Sequence, residues 1–156
     1  MALFLSFCDG SFKDSAHRIE SQAKETELFT EVKVLSFSSN EKYLIDFYKQ
    51  NQNFYQKNSR GLGFWSWKPL IVDKELSKLA IGDVMFYADC GCELSKYGNY
   101  MMTKLLRNAK KNGSLIFQMP YYENEYNRFD LYERYLKKVM ILVIFIHLKF
   151  KLHSSY

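Results

Sequence analysis

The sequence predicts an α/β protein with a mainly parallel sheet flanked by helices. Three observations lead there. Short apolar runs alternate repeatedly with stretches of helical periodicity, the pattern of strand–helix–strand units. One run, Val84 to Ala88, is apolar at every position, as expected of a central strand covered on both faces. The run at Ala2–Phe7 is closed by Asp9-Gly10, and Asp89-Cys90-Gly91 stands directly at the end of Val84–Ala88, so the strands end in turns.

Taken in order, Ala2 to Phe7 (A-L-F-L-S-F) reads as a buried strand closed by Asp9-Gly10. Asp14 or Ser15 is placed to cap a helix running to about Phe29, with Ile19, Ala23 and Leu28 on its apolar face. Val32 to Phe37 alternates and is rich in β-branched residues, which predicts a second strand. Ser39-Asn40 opens a helix over Glu41 to Gln50, and a polar, aromatic loop follows. Pro69 suits the first turn of the next helix, where its missing N–H is not needed, and Leu70, Ile71, Leu76 and Leu79 carry that helix to about Leu79. After the strand at Val84–Ala88, a helix is predicted over Tyr97 to Lys110 and a short strand over Leu115 to Gln118.

Composition narrows the function classes. The chain has 156 residues, enough for one domain, and its 47% hydrophobic content is enough for a real core. The net charge of +5 is concentrated at the end: residues 136–156 hold Lys137, Lys138, Lys149 and Lys151 and no acid, against 18 basic and 17 acidic side chains before them. A near-neutral body does not carry the basic face of a nucleic-acid binder, so no nucleic-acid partner is expected. Three cysteines, Cys8, Cys90 and Cys92, are an odd number, and the apolar start lacks a basic leader, which points to a reducing, cytoplasmic setting. Cys90-x-Cys92 without a second Cys/His pair is a poor zinc signal.

In open parallel sheets ligands bind at the carboxyl ends of the strands. Two places therefore carry the candidate chemistry: Phe7 to Ser11, which includes Asp9, and Asp89 to Glu93. Asp89 is either a turn residue capping the backbone of Gly91 or a carboxylate that holds a divalent cation against a phosphate, with Gly91 letting the ligand close to the backbone. Glu93 is a second oxygen ligand or a solvated loop residue. In Arg60 to Pro69 (R-G-L-G-F-W-S-W-K-P), the aromatics either plug the sheet edge or form a binding surface. On the second reading Arg60 and Lys68 neutralise a diphosphate and Trp65 or Trp67 stacks on a sugar or base. His17 reads as an ordinary helix-surface residue.

The blocks R-G-L-G-F-W-S-W-K-P-L-I-V and G-D-V-M-F-Y-A-D-C-G-C-E, in that order, resemble a family of bacterial and viral glycosyltransferases. The resemblance runs from about Leu3 to Tyr135. It implies a GT-A (Rossmann-like) fold, incomplete at its C-terminus, that binds a nucleotide-sugar donor over residues 1–135 and passes the sugar to a saccharide or surface-glycan acceptor. It places Asp9, Arg60, Trp65, Trp67, Lys68, Asp89 and Gly91 at the donor, with Asp89 as the ligand of Mn²⁺ or Mg²⁺ bridging the diphosphate. Gly91 stands where a strict D-x-D motif has its second Asp. Glu123 to Tyr135 resembles the segment before the family's second half, and beyond it residues 136–156 change character. Val139 to Ile146 is eight apolar residues in a row, well short of the roughly 20 of a membrane-spanning helix. That tail is expected to be a truncated or frameshifted end, a buried strand, or a peripheral anchor at the inner face of the membrane. A non-catalytic remnant that binds nucleotide or glycan, and an α/β interaction protein, are the competing functional readings.

Overall fold

The computed structural model describes residues 1–115. Three parallel strands form the sheet: β1 (Ala2–Phe7), β2 (Glu31–Leu35) and β3 (Val84–Tyr87), in the order β2-β1-β3. Leu3 pairs with Glu31 and Phe7 with Leu35 on one side, and Ala2 pairs with Val84 and Leu5 with Tyr87 on the other. The helices are α1 (Lys13–Glu25), α2 (Lys42–Gln50), α3 (Gln52–Lys57), the single distorted turn α4 (Gly61–Phe64), α5 (Trp67–Leu76) and α6 (Asn99–Asn112). No helix among the described residues is long and apolar enough to cross a membrane.

Side-chain alternation along β1 sends its residues into two cores, one on each face of the sheet. Leu5 and Phe7 join Leu35, Leu44, Tyr55, Trp67, Ile71, Val72 and Tyr87 under α2, α3 and α5. Phe4 and Cys8 join Ile19, Ala23, Phe86, Ala88, Leu94 and Met102 under α1 and α6. A strand buried on both faces has no polar side to show, which is why Leu3, Phe4, Leu5 and Phe7 are all apolar and buried.

Several expectations need correction. β1 is the central strand of the described sheet, and β3 lies at its edge. Neither Asp14 nor Ser15 caps α1: a 3-10 turn at Gly10–Phe12 leads directly into Lys13, Phe12 holds the cap position without a side-chain bond, and Asp14 falls in the first turn. There its charge faces the positive end of the helix dipole. The predicted loop after Gln50 contains α3, because Tyr55 must bury its ring between Phe37 and Tyr48, at 5.2 and 5.6 Å. Pro69 does sit in the first turn of α5, the third residue of the helix. The predicted strand at Leu115–Gln118, the Glu123–Tyr135 segment and the 136–156 tail lie outside the described residues, Leu115 apart.

One polar cluster ties α5 to β2 and α2. Glu75 is fully buried and accepts hydrogen bonds from Lys33 Nζ of β2 at 3.0 Å, Lys78 Nζ at 2.6 Å and the Tyr43 hydroxyl of α2 at 2.9 Å. Burial alone pushes the Glu75 carboxyl up, but these three donors outweigh it and hold the group below the usual carboxylate range. The same bonds outweigh burial at Lys33 and Lys78 and raise both ammonium groups above their ordinary value.

Candidate functional site

Strand order β2-β1-β3 places the two neighbours of β1 on opposite sides, reached by successive connections on opposite faces. The order in which strands are added therefore reverses between β1 and β3, and the crevice beyond their carboxyl ends is where such sheets bind ligands. Cys8-Asp9-Gly10 leaves β1 at that edge, and Ala88-Asp89-Cys90 leaves β3 there.

Asp89 is gripped by Lys68. The ammonium lies 2.7 Å from Oδ1 and 2.8 Å from Oδ2, and the Tyr87 hydroxyl donates to Oδ1 at 2.8 Å. The turn after β3 closes through the backbone, with Cys92 N–H donating to the Asp89 carbonyl at 2.8 Å. Burial first, and then the Asp89 charge, push the Tyr87 phenol above its ordinary value, so it stays protonated as the donor. Lys68 is mostly covered and its Nζ lies 5.9, 5.8 and 5.9 Å from the ring centres of Trp65, Trp67 and Tyr87. Three aromatic rings thus lie within cation–π distance of the ammonium.

The glycine-rich block explains how Lys68 reaches this place. Gly61, Leu62, Gly63, Phe64 and Trp65 all have positive φ, from 49° to 76°, a left-handed turn that is strained at its three non-glycine positions. The turn is closed by Gly63 N–H to the Asn58 carbonyl at 2.8 Å and Phe64 N–H to the Arg60 carbonyl at 2.8 Å. A Cβ at Gly61 would lie 2.5 Å from the Trp65 ring, and one at Gly63 would lie 2.4 Å from the Tyr55 ring. Both glycines are therefore required by sterics as well as by φ. Gly63→Ala is expected to destabilise the fold by at least about 2 kcal/mol in chemical denaturation, because strain and overlap add. Gly91→Ala serves as the neutral control, since a Cβ there meets nothing within 4 Å.

The turn separates the two tryptophans. Trp65 is exposed on the surface, with the Arg60 guanidinium 5.9 Å from its ring centre. Trp67 is buried, stacked on Phe7 at 3.9 Å, and its indole N–H donates to the Gly61 carbonyl at 3.3 Å. Of the two aromatic readings, the exposed surface belongs to Trp65 and the plug belongs to Trp67. Asp9 sits at the end of β1, but its oxygens are taken by backbone N–H groups, Oδ1 by Gly10 at 2.7 Å and Oδ2 by Phe37 at 2.7 Å. It joins the loops after β1 and β2 rather than facing Lys68. Gly91 is exposed with open space above its backbone, room for a ligand to approach.

Two contributors were missed by sequence reasoning. Arg18 of α1 donates to the carbonyls of Cys90 and Cys92, both at 2.9 Å, and lies 3.7 Å from the exposed Glu93. It fixes the loop after β3, and no local signal reveals a contact spanning more than seventy positions. Glu93 is thereby an ion-pair partner of Arg18. Tyr87 was within reach of the sequence, since a residue two before Asp89 points to the same face of the strand. His17 is exposed, as read. Cys8 and Cys90 meet beside the site: their mutual thiol hydrogen bond raises the pKa of Cys8 and lowers that of Cys90.

A resident divalent ion fits this arrangement poorly. Among the described residues no group of three or more His, Cys, Asp or Glu side chains is arranged to hold a metal, and at Asp89 an ion would meet the Lys68 ammonium. Comparison with protein-family profiles, curated proteins and solved structures gives no match to this chain.

Proposed function

We propose that the chain binds a nucleotide-sugar donor as part of a GT-A-type glycosyltransferase that passes the sugar to a saccharide or surface-glycan acceptor. The observation carrying this reading is the Lys68–Asp89 pair at the crevice between β1 and β3, flanked by exposed Trp65 and Arg60. A diphosphate offers two or more charges to Lys68 where Asp89 offers one, so the ammonium turns toward the donor. Arg60 reaches the same anion from the rim, and the exposed face of Trp65 accepts the sugar or base. When the bond from the sugar's anomeric carbon to the diphosphate breaks, negative charge grows on the departing phosphate. Lys68 and Arg60 stabilise it there, in a partly dry crevice where such contacts count most. The new bond forms from an acceptor hydroxyl oxygen to the anomeric carbon, and the hydroxyl's proton is released to solvent. This reading places the protein in the cytoplasm, where such donors are supplied.

The divalent ion expected at Asp89 belongs to this reading only together with the donor, because Lys68 covers both carboxylate oxygens beforehand. Calorimetric titration of nucleoside diphosphates and their sugars, with and without Mn²⁺, separates the contributions. Lys68→Ala is expected to weaken binding about 10- to 100-fold, the loss of one hydrogen-bonded charge. Asp89→Ala without metal keeps or gains affinity, since it frees Lys68, and it loses any increment that Mn²⁺ provides. Wild-type protein that binds none of these nucleotides, or affinity unchanged in Lys68→Ala, overturns the proposal. Donor binding with no transfer to any acceptor assigns the chain to the non-catalytic reading.

A further inference from the structure

Charge is unevenly divided along the described chain. Residues 1–95 hold 11 basic and 13 acidic side chains, whereas residues 96–112 hold five basic side chains and no acidic one. A whole-chain average hides this, and the near-neutral body read from composition conceals one strongly basic element. That element is α6 with the 3-10 turn (Lys96–Gly98) ahead of it.

Helical spacing sorts the cations. Tyr97, Tyr100, Lys104, Arg107 and Lys111 follow one another at intervals of three and four, which places them on a single stripe. Every one of them is exposed, Tyr97 at 90% and Tyr100 at 71%, and Met101 beside them is exposed at 58%. The opposite face is committed to the core: Met102 is buried and Leu106 packs against the same apolar cluster. Lys110 falls off the stripe and its charge acts on Asp83. The outer face of α6 therefore combines exposed aromatics at one end with three cations along its length.

We infer that this face of α6 docks on an anionic lipid surface. A straight helix face is convex and suits a plane better than a strand threading a groove. Its charge complements acidic headgroups, and Tyr is a residue that settles at the headgroup level. Base stacking fits less well, because each ring already has a lysine over one face, Lys104 Nζ at 4.3 Å from the Tyr100 centre and Lys96 Nζ at 5.9 Å from that of Tyr97. Since the apolar side of the helix stays in the core, the contact is electrostatic and reversible rather than inserted.

Co-sedimentation of the full chain with vesicles tests this. Binding is expected to phosphatidylcholine vesicles containing phosphatidylserine, not to pure phosphatidylcholine, and to be lost at high ionic strength. Each basic residue near such a surface raises partitioning about 5-fold, so Lys104→Glu/Arg107→Glu is expected to lower it at least about 25-fold. Both side chains are exposed, so the variant should melt with the wild type, and Lys104→Gln/Arg107→Gln gives a milder version of the same loss. Lys137→Glu/Lys138→Glu, in the basic tail, is expected to leave most of the binding intact. No binding to anionic vesicles, equal binding by the α6 variant, or loss only in the tail variant overturns the inference. So does displacement of the vesicles by a single-stranded oligonucleotide that binds the same residues more tightly. These outcomes are independent of whether the crevice binds nucleotide.

Discussion

Trp67→Ala is expected to destabilise the protein by about 3–5 kcal/mol, the range for removing a large buried aromatic. Trp67 is 4% exposed, stacks on Phe7 of the central strand, and anchors the left-handed turn through its bond to Gly61. Removing it empties the core under α5 and releases the turn that carries Arg60 and Trp65. Trp65→Ala, two residues away, removes a ring that is 44% exposed and is expected to cost less than about 1 kcal/mol. Urea denaturation of the two variants makes the comparison. If Trp67→Ala were as stable as the wild type, its assignment to the core would fail and both tryptophans would return as candidates for the donor surface. Nucleotide titration of the Trp65 variant then reads the role of the exposed ring separately from stability.

Replacing Glu75 has a comparable effect by a different mechanism. Its carboxylate is fully buried, and its partners Lys33 and Lys78 are 27% and 43% exposed. Glu75→Gln leaves two ammonium groups around a neutral amide, and breaking a buried pair in this way is expected to cost about 3 kcal/mol, the low end because the lysines retain some water. The pH dependence carries a definite sign. The folded-state pKa of Glu75 is depressed, so its contribution is present above the unfolded value of about 4.3 and is lost as pH falls through the folded value. Those of Lys33 and Lys78 are raised, so their contribution is present below about 10.4 and is lost as pH rises through the folded values. The stability gap between wild type and Glu75→Gln should be full at neutral pH and close in strong acid. A gap that stayed constant from pH 7 to pH 3 would remove the carboxylate charge from the account.

The expectations drawn from sequence alone succeeded where a local pattern carries the physics. The strand at Ala2–Phe7 is bounded by its own apolar run, and Pro69 marks the first turn of α5 because proline suits few other helical positions. The α/β class and the parallel sheet follow from alternation of strand and helix, and the two crevice segments follow from strand ends. Helix α3 was missed because its polar surface and single buried Tyr55 give no periodic signal over six residues.

Residue types and their order along the chain determined which groups are available: a carboxylate after β3, an ammonium and two indoles after a pair of glycines, and a basic stretch after residue 95. Tertiary structure decided what each group does. Trp65 and Trp67 are the same residue two positions apart, and only a left-handed turn sends one to solvent and the other into the core. Asp9 and Asp89 are both strand-end aspartates. Asp9 is taken by backbone N–H groups of two loops, while Asp89 meets a lysine 21 positions earlier in the chain. Local periodicity reports what a residue prefers over a few neighbours, whereas burial and ion pairing depend on which distant segments the sheet order brings together.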